Sequence, residues 1–357
     1  MDPPAGVCAR GGARGPPRLR LGQACGQALG TSPVRVDAQE APTRDPDAVE
    51  SGLGRIERLV SFGETDACSF DGPRITCSKD GGKSWPLRAE LPARAVGALR
   101  GSEGILLIAT DDGRIFSVAE NGAASLRAEV PGEPAIVDAS QRDGRLFLLA
   151  HRFDAPEDPL RLPQVVKTEL LALAAEGSLE MLATSAGFRG DRLLIQPNGE
   201  LITFASVDAR AWRSIVPREA TGSGGRPFVR LPHAGRFGAD FGGLQVAIDR
   251  WADRLPGPGK PARPASALYV SRDDGAEWEH VFDTTGETLV DFMGPTTGLV
   301  VAREEGTAWL TTDGTRSFHS VRKDDRLYET VAVTHSGGRF LVASSRGTIL
   351  LVSPDAP

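Results

Sequence analysis

The chain has 357 residues, enough for one large β domain or two ordinary domains. Its 41 Lys and Arg against 47 Asp and Glu leave a net charge of −6, so no overall basic field is present to hold a nucleic-acid backbone or an anionic membrane surface. No run of about 18 apolar residues occurs, which excludes a membrane-spanning helix.

Residues 1–52 are rich in Gly, Pro, Ala and Arg and poor in aromatic and β-branched residues, so they are expected to be a mostly disordered leader. The segment lacks the apolar stretch of a secretory signal. Its first 36 residues hold Arg10, Arg14, Arg18, Arg20 and Arg35 against Asp2 alone, which fits an organelle transit peptide or a misplaced start codon equally.

From about residue 54, short apolar runs alternate with Gly/Asp/Asn turns, the pattern of an all-β chain. "RIERLVSF", "GILLIAT", "RIFSVA", "RLFLLAH", "LLIQP", "ELITFAS", "LQVAID", "ALYVS", "GLVVAR", "TAWLTT", "ETVAVTH", "RFLVASS" and "TILLVS" read as strands. "TELLALAAEG" has helical spacing, yet its place in the series makes it a strand and turn. Turns recur at Asp80-Gly81, Asp112-Gly113, Asp274-Gly275, Asp313-Gly314 and Arg346-Gly347, at intervals that fit four-stranded propeller blades.

Units fall near 54–91, 94–130, 134–185, 188–232, 240–285, 287–324 and 327–354, within a single domain at 53–357. The fold expected is a single β-propeller of four-stranded blades, seven by this register, with six or eight also compatible. The last unit shows three strands; its missing outer strand is expected from "SPVRVDA" (32–38), which would close the ring. The largest insertions, at 151–164 and 249–266, belong to the third and fifth units, and insertions in repeat folds collect on one face.

One stretch repeats with chemistry attached. In "SKDGGKSW", Ser78, Asp80, Gly82, Ser84 and Trp85 follow Ser/Thr-x-Asp-x-Gly-x-Ser/Thr-Trp. "SRDDGAEW" repeats it with Ser271, Asp273, Gly275 and Trp278, and "TTDGTRSF" is a degraded copy with Thr311, Asp313 and Phe318, Thr315 standing in the glycine position. "TDDGRIF" keeps only the turn and the aromatic. An Asp side chain accepts from backbone N–H groups of its own turn, Gly supplies positive φ, the hydroxyl ties the incoming strand, and the aromatic ring packs between sheets. The pattern resembles the Asp-box, or bacterial neuraminidase repeat, of sialidase-like propellers. That resemblance implies a structural hairpin between third and fourth strands, not a catalytic Asp80.

Cys68 and Cys77 bracket "SFDGPRIT". A two-residue loop at Gly72-Pro73 pairs Asp71 with Arg74, Phe70 with Ile75, Ser69 with Thr76, and Cys68 with Cys77 in a non-hydrogen-bonded pair. A cross-strand disulfide fits there and would favour an oxidising compartment, periplasmic or extracellular; two reduced, packed thiols are the alternative.

No catalytic signature stands out. A sialidase needs an arginine cluster, a Tyr–Glu nucleophile pair and an aspartate acid/base, and its Arg-Ile-Pro signature is absent. Tyr328-Glu329 is the one position that could imitate the pair, Tyr269 being expected near the rim. Glu64, Asp66, Asp143, Asp191 and Asp291 lie near predicted strand ends facing the axis, as a paired-carboxylate glycosidase would require. Trp212, Trp251 and Trp309 suit a sugar groove or packing between blades. No metal spacing, phosphate loop or nucleophile elbow occurs, so neither cofactor nor metal is expected.

Within the Asp-box superfamily the compact units look most like the non-enzymatic photosystem II assembly factor kind. The expectation is a non-enzymatic binding or scaffold propeller, a monomer or part of a larger complex, recognising a protein or glycan partner through its loop-rich face. A glycoside hydrolase is the alternative.

Overall fold

The computed structural model describes residues 35–37, 48–50, 53–62, 64–101, 104–142, 144–155, 161–186, 190, 192–195, 201–205, 210–214, 229–230, 236–241, 244–250, 265–272 and 279–355. Val34–Pro357 cluster as one compact unit. Among the described residues there is no α-helix; two 3-10 turns, Arg303–Glu305 and Asp325–Glu329, are the helical elements. "TELLALAAEG" is strand, within Val165–Ala174, and then turns at Gly177.

Seven sheets follow one another along the chain. The first holds Arg58–Phe62, Asp66–Asp71, Arg74–Ser78 and Leu87–Glu90. The second holds Ala95–Arg100, Leu106–Thr110, Arg114–Val118 and Ala124–Glu129, and the third Ala135–Arg142, Arg145–Phe153, Val165–Ala174 and Leu179–Ala186. Arg192–Ile195 opens the fourth sheet, which ends at Val229–Arg230; the fifth runs from Arg236–Phe241 through Leu244–Arg250 and Ala265–Ser271 to Glu279–Thr285. Thr288–Phe292, Gly298–Ala302, Thr307–Thr311 and Ser317–Lys323 form the sixth, and Thr330–Ser336, Arg339–Ser344 and Thr348–Val352 begin the seventh. The first strand of each sheet lies against the first strand of the next, and that of the seventh returns to that of the first. The fold is a β-propeller.

The apolar runs are explained by burial on both faces. In Leu106–Thr110 every residue is buried, with Leu106 and Ile108 facing the first sheet and Leu107 and Ala109 facing the third. Gly298–Ala302 repeats this, Val300 packing toward the fifth sheet and Leu299 and Val301 toward the seventh. Strands covered on both sides lose the polar half of the usual alternation, which is why these stretches read as continuous apolar runs.

The closing strand falls elsewhere than expected. Ala48–Glu50 pairs antiparallel with Thr348–Val352 and completes the seventh sheet. Arg35–Asp37, within the segment expected to close the ring, pairs parallel with Ser317–Lys323 as a fifth strand of the sixth sheet. The reason is reach: a closing strand must lead into Arg58 at the start of the first sheet, and links between consecutive elements are short.

The first hairpin has the expected register, Asp71 opposite Arg74 and Cys68 opposite Cys77, with Gly72 at φ 58°. Cys68 and Cys77 form a disulfide across that pair, their Cα atoms 4.1 Å apart, and both are buried.

Candidate functional site

The bonds within its own turn decide whether Asp80 is available for chemistry. Ser78 Oγ donates to Asp80 Oδ1 at 2.8 Å and accepts from Gly82 N at 2.9 Å. Asp80 also accepts from Ser84 N at 2.9 Å and Ser84 Oγ at 2.6 Å, and Trp85 Nε1 donates to Gly82 O at 3.0 Å. Burial opposes ionisation of Asp80, but the bonds from Ser84 and Ser78 outweigh it and hold the carboxyl below its ordinary range. Asp313 is held down in the same way by Ser317 and Thr311. Both turns join a third strand to a fourth. Trp85 packs against Leu341 and Leu351 of the seventh sheet, and Phe318 stacks on Phe282 of the fifth, ring centres 4.8 Å apart. Ser271 is buried at the matching strand end; Asp273, Gly275 and Trp278 lie outside the described residues.

Two other turns sit at the opposite end. Asp112-Gly113 and Arg346-Gly347 join second to third strands, so Asp-Gly alone marks any tight hairpin here. In antiparallel sheets the second-to-third links and the sheet-to-sheet links leave from one end, and the remaining two kinds leave from the other.

The axis carries polar groups that are tied together. Arg58 donates to Val96 O and reaches Asp138 Oδ1 at 2.9 Å, while Asp138 Oδ2 accepts from Leu193 N at 2.8 Å. This network links the first strands of four consecutive sheets. Asp291 Oδ2 sits 2.7 Å from His335 Nδ1, joining the sixth and seventh sheets, and Asp66 pairs with Arg100 at 2.7 Å. Burial alone would lower the pKa of His335; the bond to Asp291 and its charge outweigh that and raise it.

The candidate catalytic groups are not brought together. Glu64 is exposed at the turn before Asp66; Asp66 is held by Arg100 and Asp291 by the His335 ring; Asp143 and Asp191 lie outside the described residues. Glu329 pairs with Arg346 at 2.5 Å, while the Tyr328 ring lies over Gly306, so the two do not form a nucleophile pair. Tyr269 faces the His280 ring at 5.4 Å. Trp309 meets Phe282 edge-on at 5.4 Å, packing between sheets; the Trp212 side chain and Trp251 lie outside the described residues. No group of three or more His, Cys, Asp or Glu among the described residues could hold a metal ion. Nothing local in the sequence couples Asp138 to Arg58; the lone carboxylate inside "AIVDASQR" is the one signal it carries.

Both long insertions, by contrast, join second to third strands and therefore leave from the same end. The described part of the first is pinned by Asp154, which accepts from Gln164 N at 2.6 Å and from Arg161 at 2.7 Å. Phe153 and Leu162 are exposed on it, Leu162 by 78 %, and Val166 is exposed at the start of the strand that follows. Beside Phe153 an open groove of about 920 Å³ runs between the second and third sheets.

No family model matches the sequence, and no curated protein matches it. Solved structures share its fold. YCF48 bound to D1 peptide superposes with a TM-score of 0.61 over 92 % of this chain and 100 % of its own, at 11 % identity. YCF48 from Cyanidioschyzon merolae gives 0.55 over 88 % and 98 % at 11 % identity, and the WD40 propeller domain of Doa1 gives 0.51 over 86 % and 94 % at 12 %. At that identity the likeness establishes the β-propeller fold alone.

Proposed function

We propose that this chain is a non-enzymatic binding propeller that engages a protein partner through the end carrying the insertions. The observation that carries the reading is the division of labour between the two regions. Axial carboxylates Asp66 and Asp138 are engaged by Arg100 and Arg58, and Asp291 by the His335 ring, whereas exposed apolar side chains and the open groove gather at the insertion end. That a YCF48 propeller is seen with a bound peptide supports a protein partner over a glycan.

On the same reading the Ser78–Trp85 and Thr311–Phe318 turns are Asp-boxes, and the seven sheets are seven blades. The Cys68–Cys77 disulfide supports export to a periplasmic or extracellular space. A photo-reactive amino acid at Leu162 tests the reading. It should cross-link one discrete protein in the native compartment, and the same probe at Ser125, on the exposed outer strand of the second sheet, should not. Equal labelling from both positions would contradict it.

A further inference from the structure

We propose that the groove between the second and third sheets binds an extended cationic peptide segment that also carries a large apolar side chain. The inference deepens the proposed function and rests on its placing partner binding at the insertion end. The groove is bounded by the Asp111–Arg114 turn, the Glu129–Ala135 link and Phe153, all at that end of their sheets. Its lining holds four carboxylates, of Asp111, Asp112, Glu129 and Glu133, against the one guanidinium of Arg114. Arg114 is already committed to Asp112 through two nitrogens. Asp111 and Glu133 make no side-chain hydrogen bond or ion pair among the described residues, so their charge is presented to whatever enters.

The wall is built to hold its shape. Arg152 donates to Gly132 O at 2.6 Å and to Pro131 O, and its Nε binds the buried Glu169 at 2.8 Å. Gly132 leaves room for this: a Cβ there would lie 2.3 Å from Arg152 Nη1. Next in line, Glu133 holds φ at 50°, although it is not glycine and precedes a proline that favours extended backbone. Thr315, the other non-glycine residue at positive φ among those described, is buried and bonded at both ends; Glu133 is exposed and no described residue bonds its side chain. Backbone held in sparsely populated φ/ψ regions clusters at ligand clamps and active sites.

The chemistry selects the occupant. Carboxylates alone would suit any cation, and the exposed Phe153 that lines the groove alone any apolar surface. Both together, along a groove of about 920 Å³, suit a peptide that alternates Lys or Arg with Leu or Phe. A neutral glycan offers neither.

The probe is the fluorescein-labelled decapeptide KLRFKKLRFK, titrated by anisotropy into the full chain at low and high salt. Saturable binding that weakens with salt is expected, with a loss of about ten-fold in the D111N/E133Q double variant and about five-fold in F153A. E120Q/E176Q, altered at exposed turns on the opposite end, should bind as the parent does, and thermal melts should show all variants folded. No saturable binding, or equal weakening in both carboxylate pairs, would overturn the proposal. Binding lost in Leu162→Asp but retained in D111N/E133Q and F153A would overturn the groove while leaving the insertion-end reading in place.

Discussion

The Ser78–Trp85 and Thr311–Phe318 turns share four hydrogen bonds made from different residues. Thr311 Oγ1 takes the place of Ser78 Oγ, donating to Asp313 Oδ1 at 3.0 Å and accepting from Thr315 N at 3.0 Å, and Ser317 repeats both bonds of Ser84. They part at the glycine position. Gly82 sits at φ 85° with its α-carbon against the seventh sheet, where a Cβ would lie 2.7 Å from Leu341 Cδ2. Thr315 holds φ 72° with a β-branched side chain, a strained state. Its hydroxyl accepts from Arg272 of the fifth sheet at 3.0 Å, and the same nitrogen reaches Gly314 O at 2.8 Å. Lys79 at the first turn likewise pairs with Glu120 of the next sheet. The shared bonds are the turn; the variable positions tie one sheet to its neighbour.

Five substitutions and a pH scan sharpen that comparison. Asp80→Ala and Asp313→Ala each remove the acceptor on which a turn converges, and each should cost about 2–3 kcal/mol, read from urea midpoints. A neutral result at either site would break the equivalence. Gly82→Ala and Thr315→Gly should have opposite signs: the first loses about 1–3 kcal/mol to overlap and strain, the second gains up to about 1 kcal/mol from released strain, less the lost Arg272 contact. Trp85→Phe, which gives the first turn the aromatic of the second, should cost about 1 kcal/mol with the Gly82 bond.

The acid limb follows from the same carboxylates. Asp80 and Asp313 lie below their ordinary value of 3.8, so their contribution is present above that pH and is lost as pH falls through the folded values. Asn at both positions should flatten the fall in melting temperature between pH 5 and pH 3. The smallest effect belongs to His335, whose raised pKa makes its contribution complete below 6.5 and lost as pH rises through the folded value. The gap in melting temperature between parent and His335→Gln should therefore narrow from pH 6 to pH 8.5.

Much of the fold was legible because it repeats. The units near 54–91 and 94–130 match the first two sheets, and the Gly72-Pro73 loop alone sets the Cys68–Cys77 register. Local signals stop there. Ala48–Glu50 and Arg35–Asp37 are both three-residue strands centred on valine, and only the closed ring decides which completes the seventh sheet. The Arg58–Asp138 bond joins residues eighty positions apart in sheets that are not neighbours. The groove is assembled from links in two sheets, and the backbone of Glu133 runs against what a residue before proline adopts, so neither had a sequence signature.

The proposed function puts binding at the insertion end and no chemistry at the axis. The direct measurement is turnover of the purified full chain against sialosides and neutral and acidic polysaccharides, with product detected by mass. The account predicts no product on any of them. Cleavage of one substrate, abolished by Asp66→Asn or Asp291→Asn in a protein that still melts normally, would contradict it.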